Sequence, residues 1–181
     1  SGLVEQSLNV INPGATELAW VRLLVRGLGD DSLTNQIRLY NSIAALSNSI
    51  PYVEFGPLSP GATQRLTLEY YASDRRAVFH PQFELQNVPP LALALPSGKA
   101  LTVTASRFVK GYFVIQFATR TGFRYFVQYA SSVADLGNAA ALKTAQPPIS
   151  GTGSEVQWID NGPPKTESPP VDGLRFYRVF E

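Results

Sequence analysis

The sequence predicts an all-β chain built as two consecutive β-sandwiches, and three observations lead there. Short runs rich in Val, Ile, Leu, Phe and Tyr alternate apolar with polar residues, as a pleated strand with one buried face requires. Turn signals built on Gly, Pro, Asn and Asp recur at roughly 8- to 12-residue spacing, the rhythm of a sandwich. Long helical periodicity is missing, which argues against an α/β nucleotide-binding design. Gly 14 and Pro 14 in 181 residues supply the turns.

Residues 4–11 read as the first strand, closed by Asn12-Pro13-Gly14, where Pro presets φ and Gly takes the conformation other residues avoid. Residues 18–25 follow. There Ala19, Val21, Leu23 and Val25 should face the core, while Arg22 and Arg26 should face water. The stretch 27–35 is a loop by composition, 37–40 a short strand, and 41–49 a small, polar connection. Residues 52–55 form another short strand before the turn cluster 56–61. Residues 63–71 alternate Leu66, Leu68 and Tyr70 against Arg65, Thr67, Glu69 and Tyr71, a half-buried strand. Residues 83–88 close the first half.

Pro89-Pro90 stiffens the connection and denies ladder donors, so the boundary is placed there, giving domains 1–89 and 90–181. Domains of about 90 residues can bury a core without metal or disulfide help. Leu91, Leu93 and Leu95 are too apolar for water and are expected to be buried. Residues 101–109 form a strand. Residues 111–129 are expected to fold as a β-hairpin around Thr119-Arg120-Thr121-Gly122, with Phe113, Ile115 and Phe117 on one face and Tyr125, Val127 and Tyr129 on another. Residues 134–142 could wind a turn or two of helix, weakened by Gly137. A strand at 155–159, a proline-rich loop at 160–172 and a last strand at 174–180 complete the chain. Trp158, Tyr177 and Val179 belong to the core.

About seven short strands per half is the pattern of an immunoglobulin-like or fibronectin-III-like sandwich. Particular residues carry a closer likeness. Residues 113–117, 121–129, Asp135-Leu136, Gly151-Thr152-Gly153, 156–160 and Arg175-Phe176-Tyr177-Arg178-Val179 together resemble a bacterial fibronectin-III-like module, over residues 99–181. Such modules usually have a tryptophan shortly after the Asp-Leu pair; Gly137-Asn138-Ala139 stands there instead. The first half resembles the immunoglobulin-like modules of cell-surface proteins, through Asn12-Pro13-Gly14, 58–62 and 66–71. Both resemblances imply scaffolds with variable loops, in an exported or cell-surface bacterial protein whose other domains belong to the same polypeptide.

Composition narrows the chemistry. Net charge is +1, with scattered Lys and Arg, so no nucleic-acid footprint is expected. Cysteine is absent, which removes disulfides, thiolate nucleophiles and thiolate metal sites. No apolar run is long enough to span a membrane as a helix. Position 1 is not Met, so the text reads as a processed product or a piece of a larger one.

Catalysis is not expected. His80 is the only histidine, and no nucleophile-elbow sequence surrounds a serine, so it reads as a turn residue. Further His or Cys ligands for zinc are lacking, and the acids are scattered over loops and solvated strand faces. The loop 29–35 carries hard oxygens suited to calcium but lacks the spaced D-x-D-x-D-G pattern, and reads as a polar loop. Gly151-Thr152-Gly153 is a turn, with no Lys-Ser/Thr or helix start after it. No cofactor is expected. Trp20, Tyr40, Tyr71 and Tyr112 fall opposite the better apolar set of their runs. They are the candidate surface for a protein or glycan partner.

Overall fold

The computed structural model describes residues 2–29, 36–74, 77–89, 100–170 and 175–181. The chain is all-β and divides into two compact units, residues 1–90 and 91–181. The loop at 30–35 and the leucines at 91, 93 and 95 lie outside the described residues, and with them the expectations placed on calcium and on leucine burial.

The first unit contains β1 (Leu3–Ile11), β2 (Trp20–Arg26), β3 (Ile37–Leu39), β4 (Ala44–Leu46), β5 (Pro51–Phe55), β6 (Thr63–Ala72) and β7 (Gln82–Val88). One sheet runs β1-β6-β3; facing it, β7, β2, β5 and β4 pair in that order, all antiparallel. Alternation explains the core. Val10, Leu39, Leu68 and Tyr70 from the first sheet meet Val21, Leu23, Val25 and Phe55 from the second. Each such side chain, fully buried, contributes roughly 1.5–3 kcal/mol.

Two expectations need correction here. Residues 41–49 are not a plain connection, because Ala44 and Ala45 are fully buried in β4; alanine is depleted in strands, so composition hid this one. Arg22 does not face water. Both faces of β2 are covered, and Arg22 is only 5% exposed. A charge there persists because Glu54, opposite it on β5, pairs with it at 2.7 Å, with the Arg22 guanidinium 4.7 Å from the Tyr52 ring centroid. Arg26, at the end of the same strand, is exposed in the expected way and pairs with Glu84.

The second unit contains β8 (Ala100–Leu101), β9 (Val103–Val109), β10 (Tyr112–Ala118), β11 (Arg124–Ala130), a 3-10 turn at Ala134–Gly137, β12 (Lys143–Thr144), β13 (Ile149–Ser150), β14 (Glu155–Asp160) and β15 (Phe176–Phe180). Strand β10 pairs with β9 and β14, whereas β11 pairs with β12, β13 and β15, and β15 with β8.

The expected hairpin at 111–129 is therefore absent. Its turn is real, with Gly122 at φ 86°, but β10 and β11 leave it into opposite sheets. The cause lies in the inward faces, which both carry large apolar side chains. Laid across the core, Phe117 and Tyr125 pack at 6.0 Å between ring centroids, and Phe113 stacks on Tyr177 at 4.8 Å. The Tyr125 hydroxyl fastens the arch by accepting the Arg120 N–H at 2.7 Å. Trp158, Val156, Ile115 and Val179 fill the same core, as the sequence implies.

Candidate functional site

The four aromatics singled out in the sequence are all half-buried, and the strand order separates them. Tyr71 on β6 lies opposite Arg38 on β3, whose guanidinium sits 4.2 Å from the Tyr71 ring centroid. Tyr40 follows β3 and donates its N–H to the Glu69 carbonyl at 2.7 Å, so these two tyrosines share one sheet. Trp20 opens β2 in the facing sheet, opposite Val88, and Tyr112 opens β10 in the second unit, opposite Val109. Tyr40 and Tyr71 form one neighbourhood; Trp20 belongs to another.

The densest polar constellation is one the sequence reading passed over. Asp160 ends β14 and is completely buried. Its Oδ1 accepts from the Thr166 hydroxyl at 2.6 Å and the Gly162 N–H at 3.0 Å. Its Oδ2 accepts from Arg175 Nη1 and from the Tyr177 hydroxyl, both at 2.7 Å. An ionised carboxylate has about four acceptor sites, and four donors occupy them. The burial penalty of the charge is met by an opposite charge and by hydrogen bonds together.

Local structure explains why these donors converge. Arg175 and Tyr177 are two residues apart at the start of β15, so they project to one side. Gly162, at φ 81°, lets the chain turn back at once, and a β-carbon there would lie 2.8 Å from Pro169. Arg175 extends the network along the loop, reaching the Ser168 carbonyl at 2.7 Å and its hydroxyl at 2.9 Å. The same guanidinium lies over the Tyr129 ring, 4.8 Å from its centroid. The visible signal was a lone acid at a strand end followed by a proline-rich loop and an Arg-x-Tyr pair.

Lys165 adds a second buried charge to the loop. It is 4% exposed, donates to the Ile159 carbonyl at 3.2 Å and lies 5.9 Å from the Trp158 ring centroid. Burial pushes its amine down to about 7, with the Asp160 carboxylate pulling the other way. Burial, reinforced by the bond to Asp160, pushes the Tyr177 hydroxyl far above the ordinary tyrosine value.

As chemistry, the constellation is closed. The carboxylate has no free lone pair for a substrate proton, and Lys165 points inward, toward β14. His80 is exposed in the segment before β7, where the sequence places it. Among the described residues no three His, Cys, Asp or Glu side chains gather as a metal site would need, and no helix is long and apolar enough to cross a membrane. Comparison of the chain with protein-family models, with curated proteins and with solved structures gives no match.

Proposed function

We propose that this chain is a pair of non-catalytic β-sandwich modules, immunoglobulin-like then fibronectin-III-like, serving a structural, adhesion or interaction role in an exported or cell-surface bacterial protein. The observation that carries the reading is the Asp160 network. A buried acid, a buried lysine and a guanidinium are the groups most suited to catalysis, and here they are consumed in fixing a loop.

Strand order supports the sandwich types. Immunoglobulin sandwiches run A-B-E-D in one sheet and C-F-G in the other. With β2 as B, strands β5 and β4 follow as E and D, while β3 and β6 pair as C and F. In the second unit β9, β10 and β14 stand as A, B and E, and β11 and β15 as C and F. Both units fill the place of G, beside F, with an early strand: β1 in the first and β8 in the second. In the first unit β7 takes the place of A beside β2, so the outer strands have exchanged sheets.

A panel of chromogenic ester, glycoside and peptide substrates tests the non-catalytic reading. The expected result is no turnover by the purified chain. Turnover that disappears in Asp160→Asn, with the fold intact, would overturn it. The second reading, an accessory carbohydrate-binding pair of a secreted polysaccharide-active enzyme, draws on the Tyr40 and Tyr71 neighbourhood. Glycan binding lost in Tyr71→Ala would favour it.

A further inference from the structure

We propose that the second unit carries a binding cleft for a neutral polyhydroxylated ligand, a saccharide unit, between β12 and the loop at residues 162–167. The cleft measures about 400 Å³ and is lined by Tyr129, Thr144, Gln146, Pro164 and the Lys143–Glu167 ion pair, among others.

The lining supplies unused hydrogen-bonding capacity. The Gln146 side-chain amide has no partner among the described residues, and so offers two donors and one acceptor to the cleft. Thr144 Oγ1 accepts from Gln128 at 3.4 Å, which leaves its hydroxyl hydrogen to give. The Tyr129 hydroxyl accepts the Glu167 N–H at 3.3 Å and likewise keeps its hydrogen. Mixed donors and acceptors within one small cleft match the mixed character of sugar hydroxyls, and the Pro164 ring offers an apolar surface for C–H groups.

Charge selects the ligand class. Lys143 is paired with Glu167, Lys165 is turned inward to Ile159, and Asp160 is saturated. Among the described residues none of these charges turns an unpartnered head into the cleft, because the Lys165 amine is spent on the Ile159 carbonyl, so a neutral ligand fits better than an anion or a cation. The wall is also preorganised, because Thr166 is fixed to Asp160 and the Gln146 N–H is bonded to the Lys165 carbonyl at 3.0 Å.

The test is an amide chemical-shift titration of the whole chain with maltose, cellobiose and chitobiose, each raised to about 50 mM. One disaccharide should give saturable shifts centred on Lys143, Thr144, Gln146 and Glu167. Combining Thr144→Val with Gln146→Ala should weaken that binding at least about fivefold without moving the melting temperature, because both residues are exposed. Affinity should stay flat between about 20 and about 300 mM salt, as it must where no net charge is engaged. Shifts centred on Tyr40 and Tyr71 would overturn the assignment. So would the absence of saturable shifts with all three sugars, or a strongly salt-dependent affinity.

Discussion

Arg175 reaches back fifteen residues along the chain to place Nη1 2.7 Å from Oδ2 of the buried Asp160. Between them runs a proline-rich segment with no regular secondary structure through residue 170. A loop of this composition costs conformational entropy to hold still, and the charge-assisted contacts offset that cost. Asp160→Ala should destabilise the chain by about 3–5 kcal/mol, because it takes the counter-charge from the partly buried Arg175 and the acceptor from the Gly162 N–H and the Thr166 and Tyr177 hydroxyls. Tyr177→Phe removes one hydrogen bond to charge and should cost about 1.5–3 kcal/mol. Urea unfolding of both variants checks the order; equal losses would show that the acid holds no special place.

Lys165 makes stability depend on pH in an unusual direction. Its folded value near 7 lies below the ordinary 10.5, so between those values the unfolded chain binds more protons. Stability should therefore rise as pH goes from about 7 toward 10. Beyond the ordinary tyrosine value of 10.0 the slope should reverse, because burial raises Tyr52, Tyr70 and Tyr177 and the folded chain then keeps more protons. Lys165→Met should flatten the rise and stabilise the chain at pH 6 by roughly 1–4 kcal/mol. Melting curves at intervals from pH 6 to 10 provide the measurement. A fall in stability from pH 7 to 9 that Lys165→Met leaves unchanged would contradict this account.

The Arg22–Glu54 pair poses the same problem on a strand face. Both side chains are nearly inaccessible, at 6% and 4% exposure. Removing one partner, as in Glu54→Ala, should cost about 3–5 kcal/mol, whereas replacing both with Met and Leu should cost far less. A double-mutant cycle by chemical denaturation separates the cases, and additive losses would mean that the two charges do not depend on each other.

Gly151 is expected to resist substitution. A β-carbon there would lie 1.9 Å from the Arg120 carbonyl oxygen, and backbone cannot give way as a flexible side chain can. Gly151→Ala should lower stability by roughly 1–3 kcal/mol or more, read from the melting temperature. A neutral result would show that the 119–123 arch can shift.

Much of the architecture was legible from alternation alone. Val21, Leu23, Val25, Leu68 and Tyr70 announce their face, and so do Ile115, Phe117, Tyr125 and Val127. Partner choice was not legible, since a period of two says which face is buried but not which strand lies beside it. The stretch at 111–129 could therefore be read as a hairpin when its two strands part company. Arg22 misled for a related reason: alternation marks an outward face and is silent on what covers it. The Asp160 network escaped notice because its members are scattered from Asp160 to Tyr177 and meet only when the loop folds back. Ala44 and Ala45 were hidden by small side chains that carry little periodic signal.

Native-state hydrogen exchange on the amides of Gly162, Lys165, Thr166 and Glu167 tests the central claim, that the Asp160 carboxylate makes this loop part of the core. Protection close to that of the β14 amides is predicted in the parent chain, falling by orders of magnitude in Asp160→Asn while the β10 amides keep theirs. Rapid exchange of those four amides in the parent, or equal protection in the variant, would contradict it.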